Sequence, residues 1–243
     1  MKVILLAAGK GTRISRMIEE VPKSTLPVAG KPLIRRTVEI FCERGIQCVV
    51  CTGYQKEKIE EALEGLPVTY YYNPFYNITN SLASLWFAQQ EMDGEDVLIM
   101  NSDVYFEPEI LDMVLQDKRE NVVAIDKTRT AVGDYFFKTT DNGCISKYGK
   151  ELPLKERSCE YVGIAKITKA FMPVFKDRLN LLVNSQKYNF WWENVLYSFT
   201  DKGERDIYTV DVNGLFWAEI DFFDDYERIL KFVEKKEEGG NTL

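Results

Sequence analysis

Apolar and polar positions alternate along this chain in two different rhythms. "KVILLAA" at the start is a continuous β-type apolar run, the pattern of a strand buried on both faces. Pro32 then opens a helix with Leu33, Ile34, Val38 and Phe41 on one face and Gly45 as its stop. "IQCVVCT" predicts the next strand, "KEKIEEALEG" a short amphipathic helix ending at Gly65, and "VTYYY" another strand. "TNSLASLWFAQQEM" begins with capping residues and carries apolar positions at helical spacing. "DVLIMN" is again a buried strand, running into "SD". Strand and helix alternating in this way predict parallel β-α-β units.

After about residue 121 the rhythm changes. "NVVAID", "DYFFKTT" and "CISKYG" read as strands, the last two joined by the hairpin signal "DNG". "EYVGIAKI" is a strand, with helices predicted over about 168–183 and in "WWENVLYSFTDKG". "DIYTVDV" and "LFWAEID" flank a turn at Asn213-Gly214, and "DDYERILKFVEKKEE" is a C-terminal amphipathic helix. No linker, repeat or low-complexity stretch interrupts the pattern. The expected organisation is one α/β domain over residues 1–243, with halves of about 1–120 and 121–243, the second largely antiparallel.

Composition narrows what such a domain can do. The 243 residues are 45% hydrophobic, enough for a sizeable core, and the net charge is −7. An acidic balance argues against a nucleic-acid or anionic-membrane binder, and no apolar run approaches a membrane span, so the chain reads as cytoplasmic. Nothing in the composition argues against a homo-oligomer. The five cysteines are odd in number, and Cys48 and Cys51 flank strand-like valines, which favours free buried thiols over a zinc or redox site. There is no histidine. That removes Ser-His and Cys-His catalysis and every imidazole base, leaving carboxylates, lysine, arginine, tyrosine, backbone amides and hard metal ions.

Against that background the glycine-rich "AAGKGTR" after the first strand carries information. It is neither a Rossmann fingerprint, since Ile14 stands where the third glycine belongs, nor a P-loop. It places Gly9 and Gly11 where backbone N–H groups can approach phosphate oxygens, with Arg13 and Lys23 adding positive charge. The alternative is a plain solvated turn. Two aspartates, Asp103 after "LIMNS" and Asp221 after "WAEI", close strands. Many aspartates merely close strands or cap helices, so each alone has that ordinary explanation.

L-x-A-G-x-G-T-R, then P-K at Pro22-Lys23, then G-K-P-L-I at 30–34 resembles the opening of the nucleotidyltransferases that charge sugar-1-phosphates and phosphocholine. The resemblance implies a GT-A-like, Rossmann-like α/β fold with a mixed, mainly parallel sheet flanked by helices and an antiparallel acceptor-binding half. It implies an NTP cradled by Ala7, Ala8, Gly9, Gly11, Thr12, Arg13 and Lys23, with Arg13 and Lys23 catalytic, Asp103 and Asp221 as Mg²⁺ ligands, and pyrophosphate as leaving group. Glu219 would assist from beside Asp221. Where the family commonly reads R-L-x-P-L-T, this chain has Arg16 and Ile18 at the Pro and Thr positions, which makes Arg16 a candidate extra phosphate ligand.

"NPFYNITNSLASLWFA" replaces the sugar branch's Q-P-x-G stretch and looks like the phosphocholine cytidylyltransferase branch, with Asn80 and Ser81, and more weakly Asn73, at base-contacting positions. Helix capping by Thr79 or Asn80 is the alternative. The second half is rich in aromatics. By the same resemblance Asp134, Tyr135, Tyr161, Trp191, Trp192 and Glu193 would form a site for an ammonium group, with Lys127 on the acceptor phosphate and Gly163 where backbone lies close to the acceptor; the alternative is an ordinary core, since aromatics at helix spacing are usually buried. The expected partners are CTP, or another NTP, and a small phosphorylated or phosphonate amine, with neither nucleic acid nor membrane. The competing readings are an NTP:sugar-1-phosphate transferase, a catalytically silent nucleotide-binding subunit and a GT-A glycosyltransferase.

Overall fold

The structure is a computed structural model, and it describes residues 1–11 and 21–240. Thr12, Arg13 and Arg16 therefore lie outside the described residues. In chain order the main elements are β1 (Lys2–Ala7), β2 (Pro27–Val28), β3 (Lys31–Pro32), α1 (Leu33–Glu43), β4 (Gln47–Thr52), α2 (Lys56–Ala62), β5 (Val68–Tyr72) and α3 (Ser81–Phe87). They continue with β6 (Val97–Asn101), β7 (Val104–Phe106), α4 (Pro108–Gln116), β8 (Asn121–Asp126), β9 (Phe136–Thr139), β10 (Ile145–Gly149) and β11 (Cys159–Ile167). The last are α5 (Met172–Asn184), α6 (Asn194–Lys202), β12 (Tyr208–Asp211), β13 (Trp217–Glu219) and α7 (Phe223–Gly240).

The large sheet runs β10-β9-β11-β6-β1-β4-β5, with β8 and then β12 along the other edge of β11. β1 pairs in parallel with β4 and β6. Its alternation sorts the two faces: Ile4 and Leu6 pack with residues of α3, α5 and α6, while Val3, Leu5 and Ala7 pack with α1, α2 and α4. A strand clamped between two helical layers must be apolar on both sides, which is why its sequence does not alternate.

The second half is more mixed than its sequence predicts. β11 is antiparallel to β6, β8 and β9, but β12 returns parallel to β8. The strands flanking Asn213-Gly214 therefore do not form a hairpin; β12 joins the large sheet and β13 pairs antiparallel with β7. One edge of β11 pairs with β8 along much of its length, and the other is shared, Ile164–Ile167 with β6 and Cys159–Glu160 with β9. The register slips between Tyr161 and Ala165, at Gly163 in the left-handed region (φ +89°). This opens a fork between β6 and β9, and the cleft described below lies there. A smaller apolar cluster, with Leu26, Leu33, Tyr105, Ile220 and Ile229, fastens α7 beneath it.

The cysteines are free, and burial pushes the Cys48 and Cys51 thiols far above their ordinary range, so neither supplies a thiolate. No helix among the described residues is long and apolar enough to cross a membrane.

Candidate active site

A cleft of about 280 Å³ opens over the C-terminal ends of β1 and β6. Its first wall is the glycine loop. Ala7, Ala8, Gly9 and Gly11 line it, followed by Pro22 and Lys23. Gly11 sits at φ +60°, and a Cβ there would meet Lys23 Cγ at 2.7 Å and Cε at 2.9 Å, so the glycine clears the path of the lysine stem. At Gly9 a Cβ would meet nothing within 4 Å, which leaves backbone facing open space.

The second wall is carboxylate. β6 ends at Asn101, the chain turns through Ser102-Asp103, and β7 then pairs with β13 in the register Val104↔Glu219. The Ile220 N–H donates to the Asp103 carbonyl at 3.0 Å. This short ladder, which the sequence does not announce, sets Asp103 and Asp221 side by side. Lys23 Nζ lies between them, 2.7 Å from Asp221 Oδ1 and 3.6 Å from Asp103 Oδ2. Burial works to deprotonate that lysine, but Asp103 and Asp221 outweigh it and raise its pKa. Burial raises the Asp103 carboxyl, only partly offset by Lys23. Glu219 is pushed well above the usual carboxylate range by burial and by the charges of Asp103 and Asp221. Three acidic groups crowded around one ammonium are under-neutralised.

Two carboxylates converging on a cation fit Mg²⁺. Among the described residues no group of three or more His, Cys, Asp or Glu side chains could hold a metal alone. Substrate phosphates and water would have to complete the shell, which is the habit of Mg²⁺.

The third wall comes from the second half of the chain. Asp134, Tyr135, Tyr161, Trp191 and Glu193 all line the cleft. Tyr135 lies edge-on to Trp191, with ring centres 6.0 Å apart, and stacks on Tyr197 at 5.5 Å. The Tyr161 hydroxyl is buried without a hydrogen-bond partner among the described residues. Burial lifts the Glu193 carboxyl to about 7.

Four sequence-based assignments need correction. Trp192 does not face the cleft: it is fully buried, and its indole N–H donates to Asn101 Oδ1 at 3.1 Å. Lys127 is exposed beyond the end of β8 and pairs with Asp211 at 3.8 Å, because β8 lies on the side of β11 away from β6. Gly163 does not line the cleft; its missing side chain makes room for Val104, whose Cγ2 would be 2.8 Å from a Cβ. Asn73 is buried with its amide donating to Thr79 and Ser84 and its oxygen accepting from the Phe75 N–H, so it pins a loop. Asn80 does cap α3, its Oδ1 accepting the Ser81 N–H at 2.8 Å, while both Asn80 and Ser81 also line the cleft.

Sequence reasoning missed Lys150. Among the described residues it and Lys23 are the cations lining the cleft. Lys150 lies 2.5 Å from Asp134 Oδ2 and 5.2 Å over the Trp191 ring. It follows β10 in a polar stretch where nothing distinguishes it from the neighbouring surface lysines. Asn101 was missed as well; its amide donates to Glu193 Oε1 (3.4 Å) and Glu219 Oε1 (3.3 Å).

Residues 3–150 match the model of the MobA-like NTP transferase domain. The chain belongs to this family. Its similarity extends to a CMP-5'-(3-aminopropyl)phosphonate synthase of Streptomyces rubellomurinus, 24% identical over 91% of this chain but only 37% of that protein. It extends also to the choline-phosphate cytidylyltransferase of Streptococcus pneumoniae, 22% identical over 97% of this chain and 100% of that one. A solved structure of CTP:phosphocholine cytidylyltransferase from the same organism superposes with a TM-score of 0.77 at 20% identity, covering 96% of this chain and 98% of that one. At that identity the likeness shows the fold. This NTP transferase domain thus has a mixed, mostly parallel sheet with flanking helices, and its relatives include cytidylyltransferases.

Proposed function

We propose that this protein transfers CMP from CTP to a small phosphorylated or phosphonate amine, releasing pyrophosphate. The observation that carries the reading is the third wall of the cleft. The aromatic side chains of Trp191 and Tyr135 stand beside the buried Glu193 carboxyl, a setting suited to an ammonium group, while Asp134 is paired with Lys150. The cytidylyltransferase relatives, two of them named for choline phosphate and an aminopropylphosphonate, support the same chemistry.

In this mechanism the backbone at Gly9 and Gly11 holds the triphosphate and Lys23 neutralises it, with Arg13 assigned to the same task from outside the described residues. Asp103 and Asp221 would hold Mg²⁺, which when bound offsets phosphate charge. Lys150, and not Lys127, meets the acceptor's phosphate or phosphonate. That group is already largely dianionic near neutral pH, its second pKa being about 6, so one of its oxygens attacks the α-phosphorus without a general base. The new P–O bond forms as the bond to pyrophosphate breaks. The absence of histidine is then no handicap.

A pyrophosphate-release screen of four NTPs against phosphocholine, phosphoethanolamine, 2-aminoethylphosphonate and glucose-1-phosphate tests the reading. CTP with an aminated acceptor should give the highest kcat/KM. Faster turnover of UTP or dTTP with the sugar phosphate would overturn it in favour of a sugar nucleotidyltransferase. Nucleotide binding without pyrophosphate release from any pair would point to a silent subunit.

A further inference from the structure

Trp192 is among the largest fully buried side chains in the molecule, yet both of its N–H groups are directed at the walls of the cleft. Its backbone N–H donates to Ser81 Oγ at 2.9 Å, at the start of α3. Its indole N–H donates to Asn101 Oδ1, two residues before Asp103. Its sequence neighbours on either side, Trp191 and Glu193, face the acceptor wall.

The indole bond also fixes a polarity. With Oδ1 taken by the indole, the Asn101 amide nitrogen faces Glu193 and Glu219 and donates to both. Were the amide turned over, its oxygen would confront two carboxyl groups and its nitrogen would confront an N–H donor. The rest of the segment is tied to the same helix end. Asn80 N–H donates to the Tyr188 carbonyl at 2.8 Å, and Leu82 N–H to the Phe190 carbonyl at 3.2 Å. The segment bearing the acceptor wall therefore hangs from the residues that flank the nucleotide and carboxylate walls.

We propose that Trp192 is a positioning residue that couples the two substrate sites. Occupation of the nucleotide site, at Ser81 and at Asp103 two residues beyond Asn101, is transmitted through its two N–H bonds to Trp191 and Glu193. The inference rests on the cytidylyl-transfer reading, and it concerns a residue that itself touches neither substrate.

The first test does not depend on the acceptor. The four tryptophans give four indole N–H signals in a ¹⁵N-labelled sample, and Trp192→Phe identifies that of Trp192 by its loss. CTP with Mg²⁺ is titrated in, and its binding is measured separately by calorimetry. The Trp192 signal should move in step with saturation, while that of Trp217, held by Asp126 at 2.9 Å, should not. Binding without movement of the Trp192 signal overturns the coupling and leaves cytidylyl transfer standing. No binding by CTP or the other three NTPs overturns both.

The second test is kinetic, with CTP and whichever of phosphocholine and 2-aminoethylphosphonate the wild type turns over faster. Trp192→Phe keeps most of the apolar volume and deletes the indole donor. It should raise the acceptor KM at saturating CTP about tenfold, the ratio expected for losing one buried hydrogen bond, and leave the Kd of CTP measured without acceptor within about twofold. Ser81→Ala removes the other anchor without disturbing the core and should raise the acceptor KM several-fold. A lower Tm with an unchanged acceptor KM in both variants would make Trp192 a packing residue and overturn the proposal. If neither acceptor is turned over, the spectroscopic result decides.

Discussion

Replacing Glu193 by Gln should make the protein more stable and the enzyme worse. The Glu193 carboxyl is 7% exposed, and burial carries it from 4.5 to about 7. That gap corresponds to about 3 kcal/mol against the charged form, an upper bound because the group borders a cleft open to water. The sign follows from proton counting. Between the two values the folded state holds a proton at Glu193 that the unfolded state has released, so this group lowers stability as pH rises from about 4.5 to 7. Gln keeps the shape and the acceptor for the Asn101 amide but cannot ionise. The other raised carboxyls, Asp103 and Glu219, are common to both proteins and largely cancel in the difference. The stability gain of Glu193→Gln should therefore be larger at pH 8 than at pH 5, by as much as about 3 kcal/mol, and each kcal/mol moves Tm by about 2–4 °C in a chain of this size. Urea unfolding of both proteins at the two pH values measures it. The same substitution should raise the KM of a choline-like acceptor about tenfold at pH 8 and leave that of CTP unchanged, since only the carboxylate answers the ammonium. A stability difference that is identical at pH 5 and pH 8 would show that Glu193 does not titrate in this range and refute the reasoning.

Asp103→Asn and Asp221→Asn should each lower kcat by at least about a hundredfold without loss of Tm, because each removes one of several crowded acidic groups; near wild-type turnover with Mg²⁺ in either variant would unseat the metal assignment. Lys23→Ala should lower kcat/KM by about 10²–10³ for every acceptor alike, and an effect confined to one acceptor would remove it from the triphosphate. Lys150→Met should raise the acceptor KM about tenfold while Lys127→Met leaves it within about twofold, and steady-state kinetics showing the reverse order would restore the sequence-based choice. Gly11→Ala should depress turnover as Lys23→Ala does, though less, because its Cβ would push the lysine stem aside; equal activity in this variant would mean the stem has another route.

The first half of the fold was legible because each β-α-β unit writes its own periodicity locally. β1, β4 and β6 are continuous apolar runs, and the helices between them carry one apolar face each. The ladder joining β7 to β13 was not legible. Its strands are three residues each and lie more than a hundred positions apart, too short to show alternation and too distant for any turn signal. The same limit divides the site. Gly9, Gly11, Lys23, Asp103 and Asp221 announce themselves by motif and by their place after strands. Lys127 follows β8 and Lys150 follows β10, strands that lie on opposite sides of β11, and no local pattern carries that. Trp191 and Trp192 are adjacent and chemically identical, so only the turn before α6 decides that one faces the cleft and the other the core.

The β7–β13 ladder also puts the candidate site on a clock. During synthesis the glycine loop, Lys23 and Asp103 leave the ribosome early, and by residue 150 the whole stretch matching the family model has emerged. Asp221 is still 71 residues away, and until β13 docks on β7 the ammonium of Lys23 has one of its two carboxylates missing. A nascent chain can thus acquire its parallel sheet well before it acquires an acidic pair. The same division offers a seam at which the protein could be cut and rejoined. Two fragments meeting between α6 and β13 would each carry one aspartate, and neither alone would bring the two carboxylates together.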